Sequence, residues 1–263
     1  MNIGDSKKTK KELTRLAPGV NAFKLQFDGH LLDNLRADYL THLADLWQNS
    51  SQQKKLAGTR YCSEVLGETE DYYLLSYDTY PLFWLTNHSA RSRQLFQDFF
   101  KQLPLENTLR KEIDITKKAI MYAGFFVIGN RANEPMWHYD YRPGAHAYTL
   151  ITPLFEWETE HGHLLYKDKE ETATYTYALN EAIVFGEGFL HSTEPYPVTD
   201  KIRVLVSFTF GTDRWKHWPI LKLNIAEQSY YYALPCGHIQ GQCQCKKKHH
   251  QRETLKSWFG WSK

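Results

Sequence analysis

Apolar residues recur at three- and four-residue steps in two stretches of the first half of the chain, residues 31–47 and 89–103. This spacing puts the apolar side chains on one face of a helix, so the sequence predicts two amphipathic helices that pack against a sheet. Asn87 or Ser89 is placed to cap the second helix, because its side-chain oxygen can accept a hydrogen bond from the first turn. Between the helices, residues 72–85 are rich in Tyr, Leu and Phe and predict one or two strands.

After residue 120 the pattern changes to short runs of β-branched and aromatic residues, separated by turn residues such as Gly, Pro and Asn. Such runs predict strands joined by turns. Helices followed by six or more strands favour a mainly β fold with flanking helices, in which a sandwich or jelly-roll barrel carries helices on one outer face. The predicted strands span residues 120–128, 145–157, 163–166, 173–178, 182–185 and 203–210.

A candidate metal site lies within this β-rich region. His138 and Asp140 are two positions apart, so both point to the same side of a strand, and His191 could join them from a distant strand. Two imidazoles and one carboxylate cover one face of an octahedral metal ion and leave three positions open. This ligand set suits non-haem Fe(II), which needs open positions for a co-substrate and dioxygen.

A candidate anion-binding group accompanies the metal ligands. Arg203 begins an otherwise apolar strand, where a lone guanidinium is costly to bury unless an anion meets it. Ser207 lies on the same face of that strand, because the two residues are an even number of positions apart. Tyr122, on the strand before His138, could also reach inward with its hydroxyl.

Over residues 118–212 the chain resembles the Fe(II)- and 2-oxoglutarate-dependent dioxygenase family. The family pattern is His-x-Asp, a distal His about fifty residues on and an Arg about a dozen further, and this chain follows it. The chain departs from the family at residues 161–164, which read His-Gly-His-Leu in place of a Gly-Gly-x-Leu turn. The resemblance implies a double-stranded β-helix, the jelly-roll or cupin-like barrel, with inward-facing ligands near its open end.

The resemblance also implies a reaction. Fe(II) would be held by His138, Asp140 and His191, and 2-oxoglutarate would chelate the iron while its far carboxylate meets Arg203. Dioxygen would be consumed, and succinate and carbon dioxide would be released. Asp140 favours hydroxylation, or a related desaturation or ring closure, because halogenating members of the family carry a small residue there. Two alternatives stay open: a metal-dependent cupin enzyme that does not use 2-oxoglutarate, and a non-catalytic binding protein on the same barrel.

The sequence favours a small polar molecule as the substrate. The formal net charge of +2 is too small to indicate a nucleic-acid or membrane partner, and the oligomeric state is not indicated. Side chains next to the metal ligands, and in the polar loop before them, are candidate substrate contacts, as loops on rigid β scaffolds commonly are. They are Arg131, Glu134, Trp137 and Arg142.

Three other histidines are rival metal ligands. His146 follows His138 closely and could serve in a cupin with three or four histidine ligands, but the spacing favours His191. His161 and His163 flank a glycine in a predicted hairpin, where we expect both to face solvent.

The length of 263 residues suits one large structural domain. We expect three regions within it: a helical and β support region at 1–115, a catalytic core at 116–215 and a Cys/Lys-rich extension at 216–263. Residues 1–15 are polar and lysine-rich, which argues against a secretory signal or membrane span there and favours a cytoplasmic location. Four cysteines in this length do not form a disulfide framework, so we expect reduced thiols.

The C-terminal extension contains a second candidate metal site. Three thiols and one imidazole within ten residues could bind Zn²⁺ tetrahedrally, although the C-x-C spacing is less usual than C-x-x-C. The alternative is a flexible basic tail, in which the apolar residues of 255–261 dock as a final helix. The four candidate zinc ligands are Cys236, His238, Cys243 and Cys245.

Overall fold

A computed structural model describes the backbone of residues 13–44, 61–65, 71–77 and 82–245, with side chains for all of these except 61–65 and 76–77. The helices within these ranges are α1 (Asp33–His42), α2 (Ala90–Gln102), α3 (Leu105–Leu109) and α4 (Trp218–Gln228), with short 3₁₀ turns at Gly29–Leu32 and Trp215–His217. The strands are β1 (Leu13–Arg15), β2 (Ala22–Gln26), β3 (Tyr61–Val65), β4 (Tyr72–Tyr77), β5 (Leu82–Asn87), β6 (Ile120–Gly129), β7 (Ala147–Pro153), β8 (Leu164–Asp168), β9 (Glu171–Tyr175), β10 (Glu181–Gly186), β11 (His191–Thr193) and β12 (Arg203–Gly211).

The described strands form two antiparallel sheets. The larger sheet has nine strands in the order β1-β2-β10-β7-β12-β6-β5-β4-β3, and the smaller has three in the order β11-β8-β9. After β7 the chain crosses repeatedly between the sheets: β8 and β9 belong to the small sheet, β10 to the large, β11 to the small and β12 to the large. This alternation between two facing sheets is the topology of a jelly roll, and it confirms the predicted double-stranded β-helix.

The central strand β12 shows how the sequence produces two apolar layers. Val204 and Val206 point to the outer face of the large sheet, where they join the core beneath the helices. Leu205 points to the inner face and packs among residues of both sheets. Because side chains alternate along a strand, Arg203 and Ser207 share the inner face with Leu205.

The two predicted amphipathic helices pack on the outer face of the large sheet. Phe96 and Phe99 of α2 are fully buried there, and Phe96 packs against Phe126 of β6. Ser89 caps α2, because its hydroxyl accepts from the Ser92 backbone N–H at 3.1 Å. The alternative cap, Asn87, is a buried strand residue whose amide accepts from the Gly124 N–H at 2.6 Å.

Element boundaries differ from the predicted ones at several places. The predicted strand 145–157 is shorter, as Ala147–Pro153, and the strand at His191–Thr193 was not predicted. The first predicted helix is divided into a 3₁₀ turn and α1, and its last predicted residues, 45–47, lie outside the described residues. The predicted final helix near residues 255–261 also lies outside them.

The helix α4 was not predicted, and it closes one end of the barrel. Trp218, Leu221 and Ile225 are its buried side chains. They pack with Tyr122 and Tyr141 in a third apolar cluster. Within the described ranges, every helix is too short or too polar to span a bilayer. The region boundaries at 115/116 and 215/216 stay predictions.

Candidate metal centre

The three predicted metal ligands converge at the inner face of the small sheet. His138 and His191 are paired by two backbone hydrogen bonds, of 3.0 and 3.1 Å, although they are far apart in the chain. Asp140 lies just beyond this bridge, with its Oδ1 3.5 Å from His138 Nε2 and 3.6 Å from His191 Nε2. One ligand atom from each residue lies within 4.8 Å of the others, so a single ion can contact all three.

Backbone carbonyls fix the orientation of both imidazoles. His138 Nδ1 lies 2.9 Å from the Met136 carbonyl, and His191 Nδ1 lies 3.1 Å from the Phe189 carbonyl. Each Nδ1 therefore donates its proton to the backbone, which leaves the Nε2 lone pair facing Asp140. Such outer hydrogen bonds fix the tautomer that a metal ligand needs.

His191 is buried between aromatic rings and His138 is not. The rings of Phe185 and Phe189 lie 4.6 and 5.4 Å from that of His191, measured between centroids. Burial lowers the pKa of His191 to about 4, so its imidazole is neutral at neutral pH, as metal binding requires. His138 is exposed, and the nearby Asp140 raises its pKa even though partial burial opposes this.

Asp140 is held in its ionised form. Burial alone would raise the pKa of this carboxyl, but the facing His191 and His138 and the Thr149 hydroxyl lower it to about 2. Thr149 donates to Asp140 Oδ2 at 2.5 Å, and the Tyr141 hydroxyl lies 2.8 Å from that of Thr149. The second carboxylate oxygen, Oδ1, is the one that faces the two imidazoles.

Arg203 and Ser207 are buried on the inner face with unsatisfied polar atoms. Arg203 is 2% exposed, and among the described residues no carboxylate lies within 4.0 Å of its guanidinium. Its Nη1 donates to the Gly162 carbonyl at 3.3 Å, whereas its Nε has no hydrogen-bond partner in the described part of the chain. Ser207 is 1% exposed, and no described residue bonds to its hydroxyl. A buried cation without a counter-ion is costly, so this pair fits an anionic ligand.

The turn at residues 161–164 contains one glycine, Gly162, at a position where the backbone of a neighbouring segment leaves no room for a side chain. A Cβ at Gly162 would collide with the Glu194 carbonyl oxygen. His161 replaces the first glycine of the family turn, and it is buried, with its Nε2 3.1 Å from the Lys201 carbonyl. The expectation that His161 faces solvent is wrong, because its imidazole fills space beside Tyr196 and bonds to the backbone.

One cavity of about 560 Å³ joins the metal ligands to the anion-binding pair. It is lined by all three ligands and by Arg203 and Ser207. Aromatic and aliphatic side chains form most of the remaining wall, among them Trp84, Phe125, Val127, Trp137, Ile151 and Tyr177. A small ligand can therefore touch the metal face and the guanidinium at the same time.

Tyr122 lies outside this cavity, contrary to its predicted role. The pairing of β6 with β12 skips from Ala123 to Met121, so Tyr122 is the extra residue of a bulge and leaves the regular alternation. Its ring stacks on Trp218, and its hydroxyl donates to the Thr212 carbonyl.

The predicted substrate contacts separate into two groups. Trp137 lines the cavity, and Lys167 Nζ lies 4.8 Å from the centre of its ring. Arg131, Glu134 and Arg142 are exposed and are not among the residues that line the cavity.

The rival histidines lie outside the cavity as well. His146 packs against His217 at 4.0 Å between ring centroids. His163 is half-buried, and its Nδ1 accepts from the Tyr177 backbone N–H at 3.2 Å. Neither lines the cavity, so the described geometry favours His191 as the third ligand.

Two residues of the site were not identified from the sequence. Thr149 could have been found, because the alternation of β7 puts it on the inner face beside the ligands. Asn224, on α4, gave no signal. Its Nδ2 donates to the Asp140 carbonyl at 2.7 Å. The residue lines the cavity, and its Oδ1 is buried with no hydrogen-bond partner among the described residues.

Comparison with known proteins found similar structures but no similar sequence. No protein-family model matches the chain, and no curated protein matches it. HygX from Streptomyces hygroscopicus, solved with nickel and 2-oxoglutarate bound, has a TM-score of 0.48 and 9% identity, over 73% of this chain and 83% of that chain. EvdO2 from Micromonospora carbonacea var. aurantiaca has a TM-score of 0.48 and 16% identity, over 73% of this chain and 86% of that chain.

A third similar structure is SnoN, a non-haem α-ketoglutarate-dependent epimerase from nogalamycin biosynthesis. Its TM-score is 0.40 at 10% identity, over 71% of this chain and 82% of that chain. EvdO2 has also been solved with 2-oxoglutarate, and SnoN with Fe³⁺ and α-ketoglutarate. HygX, EvdO2 and SnoN have each been solved with 2-oxoglutarate bound. In this chain, a His-Asp-His face and a buried arginine line one cavity.

Proposed function

We propose that this protein is an Fe(II)- and 2-oxoglutarate-dependent enzyme. The observation that carries the proposal is the cavity that the ligand face of His138, Asp140 and His191 shares with Arg203. The guanidinium of Arg203 is buried, and no carboxylate of the described residues pairs with it. A metal face with open positions and a separate cation at a fixed place match the two ends of a keto diacid. The similar fold of HygX and EvdO2 agrees with the proposal but does not carry it.

The donor set fits iron. Two neutral imidazoles and one carboxylate on one face are the ligands of non-haem Fe(II) sites with open positions. The ordered Nδ1 bonds of both histidines, and the Thr149 bond to Asp140, hold the three donors ready for an ion. This ordering lowers the free-energy cost of binding the metal.

The unsatisfied groups on β12 fit the far carboxylate of 2-oxoglutarate. Arg203 Nε and Ser207 Oγ are buried donors that no described residue satisfies, and both residues line the cavity. A carboxylate there would neutralise the guanidinium and accept charge-assisted hydrogen bonds. The ring centres of Trp157 and Tyr196 lie 5.7 and 5.4 Å from the guanidinium carbon of Arg203. Both rings restrict the position of the guanidinium and keep water from it.

The bound iron and 2-oxoglutarate would supply the oxidising chemistry, with dioxygen consumed and succinate and carbon dioxide released. The protein's own residues would position and shield the substrate. Asn224 lines the cavity, and its Oδ1 is a buried acceptor that no described residue satisfies, so we infer that it accepts a hydrogen bond from the substrate. Trp84 and Trp137 offer flat apolar surfaces to the same molecule.

The finer proposal is hydroxylation of a small polar molecule. It is supported by Asp140, because halogenating members of the family that the chain resembles carry a small residue in place of this carboxylate. The cavity size of about 560 Å³ agrees with a small substrate beside the co-substrate. A cytoplasmic location belongs to the same proposal.

The experiment that tests the proposal is an anaerobic ultraviolet-visible titration of the metal-free protein with Fe(II) and 2-oxoglutarate. A visible metal-to-ligand charge-transfer band is expected in the wild type. It should be lost in His138→Ala and in His191→Ala, whereas Arg203→Ala should need more 2-oxoglutarate to reach it. His146→Ala is the matched control, because this histidine lies outside the cavity and should leave the band unchanged.

The absence of a band at saturating iron and 2-oxoglutarate would contradict the proposal. If iron still binds, a metal-dependent enzyme without 2-oxoglutarate becomes the better interpretation, and Arg203→Ala should then keep full activity. If no iron binds, the non-catalytic binding protein becomes the better one. If the band is observed, release of succinate when candidate substrates are added would identify the substrate class.

A further inference from the structure

Four sulfur and nitrogen donors converge in the segment that follows α4, away from the cavity. This cysteine cluster consists of Cys236, His238, Cys243 and Cys245, and one ligand atom from each lies within 4.8 Å of the others. Cys236 Sγ is 3.5 Å from Cys243 Sγ. His238 Nδ1 is 3.9 Å from Cys243 Sγ and 3.5 Å from Cys245 Sγ.

These distances match the edges of a tetrahedron around zinc. With Zn–S bonds of about 2.3 Å and Zn–N bonds of about 2.1 Å, two sulfurs are separated by roughly 3.8 Å and a sulfur and a nitrogen by roughly 3.6 Å. All three measured separations lie within about 0.3 Å of these values. We propose that the cysteine cluster binds one structural Zn²⁺ ion through three thiolates and one imidazole.

The local backbone is built around the cluster. Ala233 and Ile239 form an antiparallel bridge that brings Cys236 and His238 to the tip of a tight turn. Gly237, between the two ligands, has a φ of 84°, which favours glycine strongly. The Cys245 backbone N–H points at Cys243 Sγ from 3.3 Å, an N–H···S contact that stabilises a thiolate.

A disulfide explains the cluster less well. The Cys236 and Cys243 sulfurs are 3.5 Å apart, whereas a disulfide bond is about 2.05 Å long. A disulfide would also use only two of the four convergent donors and would leave one thiol beside His238. Four protein ligands close the coordination sphere, which is typical of structural zinc rather than catalytic zinc.

The zinc would fasten the C-terminal segment to α4, the helix whose Asn224 lines the cavity. Cys236 and Cys243 pack against the apolar cluster that contains Trp218 and Leu221 of α4. The Ala233 N–H donates to the Tyr122 carbonyl of β6 at 2.9 Å. Since α4 also carries Asn224, the zinc would act on the candidate active site only by holding this helix in place.

The test is the zinc content of the full-length, untagged chain, measured by mass spectrometry after removal of loosely bound metal. The parent protein carries His138→Ala and His191→Ala, so that zinc in the His-Asp-His site cannot contribute. We expect about one zinc per chain, falling at least ~10-fold when Cys243→Ser is added. Gln244→Ala is the matched control, because Gln244 is an exposed neighbour of two ligands and should keep the full content.

A second measurement covers the case in which the Cys243→Ser chain does not fold. Co²⁺ replaces the metal in the parent protein, and we expect intense thiolate charge-transfer absorption with the visible bands of a tetrahedral site. Zinc content that is unchanged by Cys243→Ser would overturn the proposal. So would a parent protein whose cysteines all react as free thiols, or as one disulfide, and which gives no tetrahedral Co²⁺ spectrum.

Discussion

Two clusters of potential metal ligands lie within the described residues, and they differ in the number, type and arrangement of their donors. The His-Asp-His face has three donors on one side of a cavity, and the other side is open to a ligand. The cysteine cluster has four donors that surround a point, which leaves no position for a ligand. The number of protein donors therefore distinguishes the two sites. Three donors leave positions open for a ligand and suit catalysis, whereas four donors close the coordination sphere and suit a structural metal.

The chemical nature of the donors leads to the same distinction. Imidazole and carboxylate suit iron, and thiolates suit zinc. The supporting contacts differ too, because the His-Asp-His face lies between β strands, whereas the cysteine cluster lies in a turn-rich segment. The helix α4 connects them, since Asn224 bonds to the Asp140 carbonyl and Trp218 packs near Cys236.

The largest expected effect is a loss of iron binding at one cluster while the other cluster keeps its zinc. We expect His191→Ala to weaken iron binding by more than ~100-fold, beyond the range of outer hydrogen-bond losses, because it removes one of three donors. The zinc content should be unchanged. Iron affinity is measured by anaerobic titration and zinc by mass spectrometry; an equal loss of both metals would mean that the substitution unfolds the protein.

The next largest effect concerns the anion-binding pair. Arg203→Met should raise the Kd for 2-oxoglutarate about 100-fold, equivalent to about 2.7 kcal/mol, while iron binding in its absence is unchanged. Isothermal titration under anaerobic conditions measures both constants. Ser207→Ala should raise the same Kd by only about 5–10-fold, since it removes one neutral donor. Equal 2-oxoglutarate affinity in wild type and Arg203→Met would exclude the assigned role.

A smaller effect is expected from the contact that orders Asp140. Thr149→Val removes the 2.5 Å hydrogen bond to Oδ2 without changing the side-chain shape, and we expect iron affinity to fall about 10-fold. Thr152→Val is a control on the same strand, because Thr152 bonds to the Glu181 carbonyl and does not contact Asp140. The account would be weakened if the two variants lost iron equally.

The smallest effect on the iron site should come from the cysteine cluster. Cys243→Ser should lower the free energy of unfolding by about 2–3 kcal/mol, or ~4–10 °C in Tm. Iron affinity should change less than about 3-fold, because the cysteine cluster reaches the iron site only indirectly, through α4 and the apolar residues around it. Calorimetry with and without a zinc chelator measures the stability. A large loss of iron binding without a loss of stability would show that the clusters are not separate.

The comparison also shows which features the sequence could predict. The mainly β architecture follows from local rules, namely short β-branched runs on strands and apolar stripes on helices. The His-Asp-His face was indicated by the family pattern, and the expectation that His138 and Asp140 share a strand is wrong, because both lie between β6 and β7 with only His138 in an isolated bridge. Ser89 could be identified because capping is a local interaction. The cysteine cluster was visible as four residues in a short segment, but only the structure supplies the distances that favour zinc.

Other features depend on the rest of the chain and gave no usable signal. Tyr122 was expected to reach into the site with its hydroxyl, but its ring stacks on Trp218 and its hydroxyl donates to the Thr212 carbonyl. The helix α4 lacks a clear apolar stripe, since it is apolar on several sides, so periodicity did not identify it. Asn224 became a candidate only when the structure placed this helix beside Asp140.

The most direct test of the central claim is crystallography of the full-length protein, grown anaerobically with Fe(II) and 2-oxoglutarate. Anomalous difference maps collected at the iron and zinc absorption edges locate each metal separately. The account predicts an iron peak among His138, Asp140 and His191, with 2-oxoglutarate reaching Arg203, and a zinc peak within the cysteine cluster. An iron peak elsewhere, or none in a crystal soaked to saturation, would contradict it.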